Sequence, residues 1–151
     1  MISEVREDGV SYLPPPHRFE AGTPPIAEVV GLGAALEFIQ QQGFAKIVQH
    51  ESALMEFAET ELGGIAEIKR MGPRGGRNVF AFNLATAHHS DVGDVLSEQG
   101  IAVRAGHHCC QPLMRRFSVS GSVRASFSVY TTERDIEALG NGIRKAKELL
   151  L

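Results

Sequence analysis

Residues 101–130 read IAVRAGHHCCQPLMRRFSVSGSVRASFSVY, and the architecture of the chain turns on how this stretch divides. Residues 101–104 are apolar enough for a short strand. Residues 122–130 alternate with the period of two that marks a strand with one buried face. Between them Gly106 and Pro112 break any regular pattern, so the segment reads as a loop. That loop holds both cysteines of the chain, Cys109 and Cys110. Reactive residues commonly sit on a connection held by rigid neighbours.

Downstream, Thr132 and Asp135 have capping-box spacing, with Asp in place of Glu. Ile136, Leu139, Ile143, Ala146 and Leu150 then repeat at helical spacing. Upstream, Ser90 or Asp91 is expected to cap a helix carrying Val92, Val95 and Leu96 and ending at Gly100. Before it come two strand candidates, residues 65–71 and 79–84, joined by the turn-rich GPRGGRN at 72–78. A further helix is expected over 45–62, with Ile47, Leu54, Phe57 and Ala58 on one face and Gly63-Gly64 as its stop. Another begins at Thr23-Pro24-Pro25, where Thr23 can cap and proline suits the first turn. Its apolar residues Ile26, Val29, Val30, Leu32, Leu36, Phe38 and Ile39 cover almost every face, as in a helix buried all round. Residues 1–25 hold five of the seven prolines and little periodicity. They read as an extended strap lying on another surface rather than as an independent fold.

The order helix, helix, β-β-α-β-loop-β-α predicts an α+β domain, a small mixed, mostly antiparallel sheet with helices packed on one face. Residues 26–151 make that domain and its helical lead-in. An all-round apolar helix is too much for so small a body, which implies another domain or subunit to cover it.

Composition limits the partners. The chain has 151 residues, 43% apolar and 22% charged, a globular mix of one-domain size. A net charge of -3 and a pI near 6.1 offer no attraction to nucleic acid or an anionic membrane surface. No apolar run approaches the roughly 20 residues of a membrane span. The first residues lack a basic start followed by an apolar stretch, so no signal peptide is expected. Two adjacent cysteines make no disulfide framework and suit a reducing compartment, most simply a cytoplasm.

The chemistry lies in Arg104-Ala-Gly-His-His-Cys-Cys-Gln-Pro-Leu-Met114. A free thiol with a pKa of about 8.5 is only a few per cent thiolate at neutral pH. Protonated His107 or His108, or Arg104 folding back, would lower that value, and a thiolate attacks sulfur readily. Three other readings stand beside this one. The cysteines serve as small buried apolar residues, they pair as a strained vicinal disulfide, or they bind zinc with help from His88 and His89. Four contiguous ligands cannot all converge on one ion, and the usual zinc spacings are absent. Arg124, in the strand at 122–126, reads by itself as a surface or ion-paired residue. The functional alternative is bidentate capture of a carboxylate.

RAGHHC followed by QPLM resembles the catalytic-loop motif of group II (Suf-type) cysteine desulfurases. RFEAGTP at 18–24, GLGAAL at 31–36, IAVRAGHHC at 101–109 and VRAS at 123–126 follow the order and spacing of that family. The resemblance covers nearly the whole chain. It implies the end of the large domain and the small C-terminal domain of a fold-type-I pyridoxal-phosphate enzyme. The implied reaction turns L-cysteine into L-alanine and leaves sulfur on the enzyme as a persulfide, for iron–sulfur cluster assembly. Cys109 falls on the nucleophile, Arg124 on the arginine that binds the substrate carboxylate, and Thr23 on the threonine that reaches the cofactor phosphate of the neighbouring subunit in a homodimer. Arg104, His107 and His108 fall on supporting loop positions, and no metal is implied. A sulfur-acceptor protein of the Suf system is the implied partner.

Two departures matter. Cys110 stands where the family often has alanine, and is expected to fill alanine's space. The family's Schiff-base lysine, in a serine-glycine-histidine-lysine context, is not in this sequence. The isolated chain is therefore expected to be inactive, with the large domain missing. A stand-alone persulfide-relay module, or a selenocysteine lyase or cysteine sulfinate desulfinase of the same group, remain alternatives at this point.

Overall fold

The computed structural model describes residues 1–75 and 78–151. The chain divides between Gly43 and Phe44, well past residue 25 where its composition changes. Gly43 takes a positive φ of 82°, a conformation that glycine adopts without steric cost, and a new helix starts at the next residue.

In the first unit the expected strap is a hairpin. Strand β1 (Ile2–Arg6) pairs antiparallel with β2 (Gly9–Tyr12), and Arg6 stands opposite Gly9. The two-residue turn Glu7-Asp8 ahead of Gly9 is an acidic-glycine signal, which the proline-rich composition of the region obscured. A single 3-10 turn, His17–Phe19, follows. Helix α1 (Ile26–Gln42) starts later than expected. Pro25 occupies its cap position and no side chain caps it, so Thr23 does not. Ile26, Val29, Val30, Leu32, Leu36 and Phe38 are all exposed. The apolar surface read from the sequence is real and uncovered in this chain.

The second unit is a two-layer α+β domain. Its sheet contains β3 (Ile68–Met71), β4 (Val79–Leu84), β5 (Arg104–Gly106) and β6 (Ser122–Ser126) in the order β3-β4-β6-β5. All three pairings are antiparallel. Residues 76 and 77, part of the turn expected at 72–78, lie outside the described residues. Helices α2 (Phe44–Glu61), α3 (His89–Glu98) and α5 (Glu133–Leu150) carry the rest of the core. Phe80, Phe82 and Leu84 alternate inward along β4, facing Val123 and Ala125 of β6. They meet Leu54, Met55 and Ala58 of α2, Val92 and Leu96 of α3, and Ile136 and Ile143 of α5. Two rings, Phe80 and Phe82, lie 5.9 Å apart in a tilted arrangement. Arg70 of β3 bonds Glu59 of α2 at 3.0 Å and lies over the Phe80 ring, closing the edge of this layer.

The capping box at Thr132 forms as expected, the Asp135 carboxylate accepting from the Thr132 N–H at 2.8 Å. Helix α3 is capped by His88 rather than by Ser90 or Asp91, the His88 ring accepting from the Ser90 amide. Strand β5 begins at Arg104, not at residue 101. The Ile101 amide is spent on Leu96 O, closing the end of α3, so sheet pairing starts three residues later. The loop expected at 105–121 contains a short helix, α4 (Gln111–Arg116), with Pro112 in its first turn and Met114 buried. Proline there starts a helix rather than breaking one.

Candidate functional site at the cysteine loop

With helices on one face of the sheet, the other face carries the site. In an antiparallel pair, directly opposed residues point to the same side. Arg104 of β5 stands opposite Arg124 of β6, Gly106 opposite Ser122, and Ala81 of β4 opposite Arg124. Two guanidinium groups thus share the face turned away from the helices. Among the described residues, the buried Nε of Arg124 has no hydrogen-bond partner, and neither has Oδ1 of Asn83 on the adjacent strand. Buried polar atoms are nearly always paired, so this face is incomplete without a polar group to meet it.

The chain leaves the sheet at Gly106, where φ is 131°, and returns at Ser122, just after Gly121. The excursion is Ω-like, with adjoining ends. Within it His108 and Cys109 both take the left-handed conformation, with φ of 53° and 56°. Non-glycine residues seldom do so, at a cost of roughly 1–2 kcal/mol each. Local bonds hold the turn. The Cys109 amide donates to His107 Nδ1 at 3.1 Å, and the Cys110 amide to His107 O at 2.9 Å. The Cys110 thiol donates to the same oxygen at 3.1 Å. Cys110 is half-buried and so engaged, whereas Cys109 is exposed; both are free thiols.

His108 ties the loop to the sheet. Its Nε2 lies 3.0 Å from Ser122 O and 3.1 Å from Ser122 Oγ. Burial pushes this imidazole below its ordinary value. The Ser122 bond opposes the shift, and the nearby positive charges of Arg124 and Arg104 add to it. This direction favours the neutral ring and weighs against an imidazolium at this position beside the thiol. His89, in the first turn of α3, is also lowered, first by burial and then by the neighbouring His88.

Of the residues singled out from sequence, Cys109, Arg104, His107, His108 and Arg124 gather here. Thr23 lies in the first unit, exposed, on the wall of a shallow cavity of about 460 Å³ that Met1, Leu13, His17 and Glu20 also line. Sequence reasoning missed Ser122, Asn83 and Gly121, whose places come from strand order rather than from a local pattern; His89, read from sequence as a possible zinc ligand, lies against Gly121. Among the described residues no three His, Cys, Asp or Glu side chains are grouped to hold a metal ion. His107 Nδ1 is already taken by the Cys109 amide.

The buried, unpartnered Nε of Arg124 suits a carboxylate. The residues present do not suit the ring and aldehyde of pyridoxal phosphate. Lys145 is engaged with Glu148 and Lys147 with Glu67, and Lys46 and Lys69 are exposed on α2 and β3.

Comparison with known proteins follows the same lines. A probable cysteine desulfurase of Streptomyces coelicolor is 43% identical over 97% of this chain and 36% of its own length. A cysteine desulfurase of Dickeya dadantii is 42% identical over 99% of this chain and 37% of its own length. The crystal structure of the Escherichia coli cysteine desulfurase CsdA (S-sulfonic acid) superposes with a TM-score of 0.87 at 38% identity, covering all of this chain and 38% of that one. Apo cysteine desulfurase from Thermococcus onnurineus gives 0.83 at 36% identity, over 99% of this chain and 37% of that one. The chain thus spans little more than a third of the length of these relatives. The class-V aminotransferase family model matches residues 1–139, and with the two-layer sheet and its cysteine loop this chain belongs to that family.

Proposed function

We propose that this chain supplies the sulfur-accepting half of a group II cysteine desulfurase, with Cys109 as the nucleophile. The observation that carries this is the exposed Cys109 thiol on a loop fastened, through His108 and Ser122, to the sheet face that presents Arg124 and Arg104. Arg124 binds the carboxylate of L-cysteine as a two-pronged donor. Its buried Nε then gains the acceptor it lacks. The Cys109 thiolate attacks the substrate sulfur. A sulfur–sulfur bond forms, the substrate carbon–sulfur bond breaks, and the product is L-alanine with a persulfide on Cys109. Pyridoxal phosphate, held by a lysine-bearing large domain, would supply the electron sink for that cleavage, and Thr23 would reach its phosphate across a homodimer.

In this reading residues 1–25 belong with the large domain and residues 26–151 are the helical lead-in and small domain. The persulfide passes to a Suf-type acceptor for iron–sulfur cluster assembly in the cytoplasm.

Two measurements test it. The purified chain with pyridoxal phosphate and L-cysteine forms no alanine above a cofactor-only control. With a complete desulfurase and cysteine, intact-mass spectrometry shows a gain of one sulfur atom, lost in Cys109→Ser and kept in Cys110→Ser. Alanine formation by the chain alone overturns the division of labour, and sulfur lost only in Cys110→Ser overturns the choice of nucleophile.

A further inference from the structure

The turn that presents Cys109 is left-handed at two successive residues, and the bonds that Cys109 and Cys110 donate run to His107. Those bonds close the turn but do not say where it stands. Its only described side-chain tie to the sheet from residues 107–110 runs through His108.

The chemistry of this tie fixes the proton. Ser122 O is a carbonyl and can only accept, so the His108 nitrogen 3.0 Å away must carry the hydrogen. With the ring held below its ordinary value by burial, this is the Nε2–H tautomer, and its buried Nδ1 has no hydrogen-bond partner among the described residues. The acceptor is equally well placed. Ser122 is 2% exposed, and the residue before it is held as well, Asn83 Nδ2 donating to Gly121 O at 3.0 Å. Gly121 is itself wedged. A side chain built there would strike the His89 ring, 2.5 Å from its Cδ2, and Gly106 C at 2.8 Å. The neck of the loop is therefore rigid, and His108 bonds to its most rigid point.

We propose that His108 is the positioning residue of this site: as a neutral Nε2–H donor to Ser122 it sets where the Cys109 sulfur stands over the Arg104–Arg124 face and keeps Cys110 turned inward. The proposal deepens the reading of Cys109 as nucleophile and rests on it for its purpose, though not for its test. His108 makes no contact with substrate and acts through the backbone turn it anchors. With the tie cut, the turn leaves its place on the sheet, the left-handed pair relaxes, and the two sulfurs become alike in accessibility.

The test compares alkylation of the two cysteines by iodoacetamide in the full chain, followed peptide by peptide by mass spectrometry. In the wild type Cys109 reacts several-fold faster than Cys110. His108→Gln places an amide donor near the Nε2 position and retains this ratio within about twofold. His108→Asn places its amide near Nδ1, cannot reach Ser122 O, and lets the ratio fall toward one. Equal ratios in the Asn and wild-type chains, or equal loss in Gln and Asn, overturn the proposal. A second measurement needs no variant. Long-range proton–nitrogen correlation spectra of the labelled wild-type chain show His108 as the Nε2–H tautomer, and an Nδ1–H signal at this residue overturns the assignment. If both results hold while Cys109 accepts no sulfur, the positioning role stands and the desulfurase reading fails.

Discussion

Replacing Gly121 by alanine tests the rigidity of the loop neck. Gly121 has no positive φ among the described glycines, so any cost is one of space. The added methyl group would lie 2.8 Å from Gly106 C and 2.5 Å from His89 Cδ2, against a carbon–carbon optimum of about 3.5–4.0 Å. The imidazole can swing toward solvent. Gly106 C is backbone paired with Ser122 across the sheet and cannot, so β5 must move outward by roughly 0.7 Å or more to reach that optimum. Overpacking of this kind costs about 1–3 kcal/mol, and with backbone as the obstacle the upper part of that range applies, about 2–3 kcal/mol. In urea unfolding with a slope of about 2 kcal/mol per molar, the midpoint falls by about 1 M or slightly more. Combining Gly121→Ala with His89→Ala recovers only the part owed to the ring and leaves the backbone part. Gly31→Ala is the contrast. It lies inside α1 with nothing within 4 Å, and gains about 0.5–1 kcal/mol from helix propensity. A Gly121→Ala midpoint within about 0.2 M of wild type would refute the steric argument, since at that slope it means less than ~0.5 kcal/mol.

Three further outcomes are expected. Phe82→Ala removes a fully buried ring that packs on Phe80, and chemical denaturation should show a loss of about 3–5 kcal/mol; a loss under about 1.5 kcal/mol would mean that the core collapses to fill the space. Stability depends on pH through His89 and His108, both held below the ordinary 6.5: the unfolded chain binds protons first, so their contribution is full above that value and is lost as pH falls through the lower folded values. Glu67, lowered by its bond from Lys147, and Asp135, lowered by the Thr132 amide, lose theirs only as pH falls below the ordinary 4.5 and 3.8 toward their lower folded values; unfolding midpoints at pH 7.5 and 5.5 should differ in wild type and converge in His89→Gln/His108→Gln, and an unchanged difference would assign the slope elsewhere. The exposed apolar residues of α1 should bind an anilinonaphthalene dye in the isolated chain, with fluorescence reduced by Val30→Lys/Phe38→Lys; a dye-negative wild type would show that surface to be covered.

Much of the architecture is legible without coordinates because it is local. The helical repeat from Ile136 to Leu150, the Thr132–Asp135 box and the alternation of Val79–Leu84 each report a periodicity within a few residues. The errors have equally definite origins. The hairpin at residues 2–12 was hidden because prolines a few residues later dominate the composition of that region. Helix α4 was hidden because six residues are too few to establish a period, and Pro112 serves equally as a start or a stop. The start of β5 shifted because the hydrogen bond that ends α3 competes for the same residues.

By itself the sequence determined the α+β class, most of the element order and the apolar surface of α1, and it named Cys109 and Arg124 as candidates, since each rests on neighbours in the chain or on motif. Only the tertiary structure decided that β6 lies between β4 and β5. That order sets Arg104 against Arg124, brings Asn83 to Gly121 and gives His108 its acceptor. Periodicity tells a strand which of its faces is buried. It does not tell it which strand lies alongside, because that choice is made by side chains many residues apart that meet only once the core has formed.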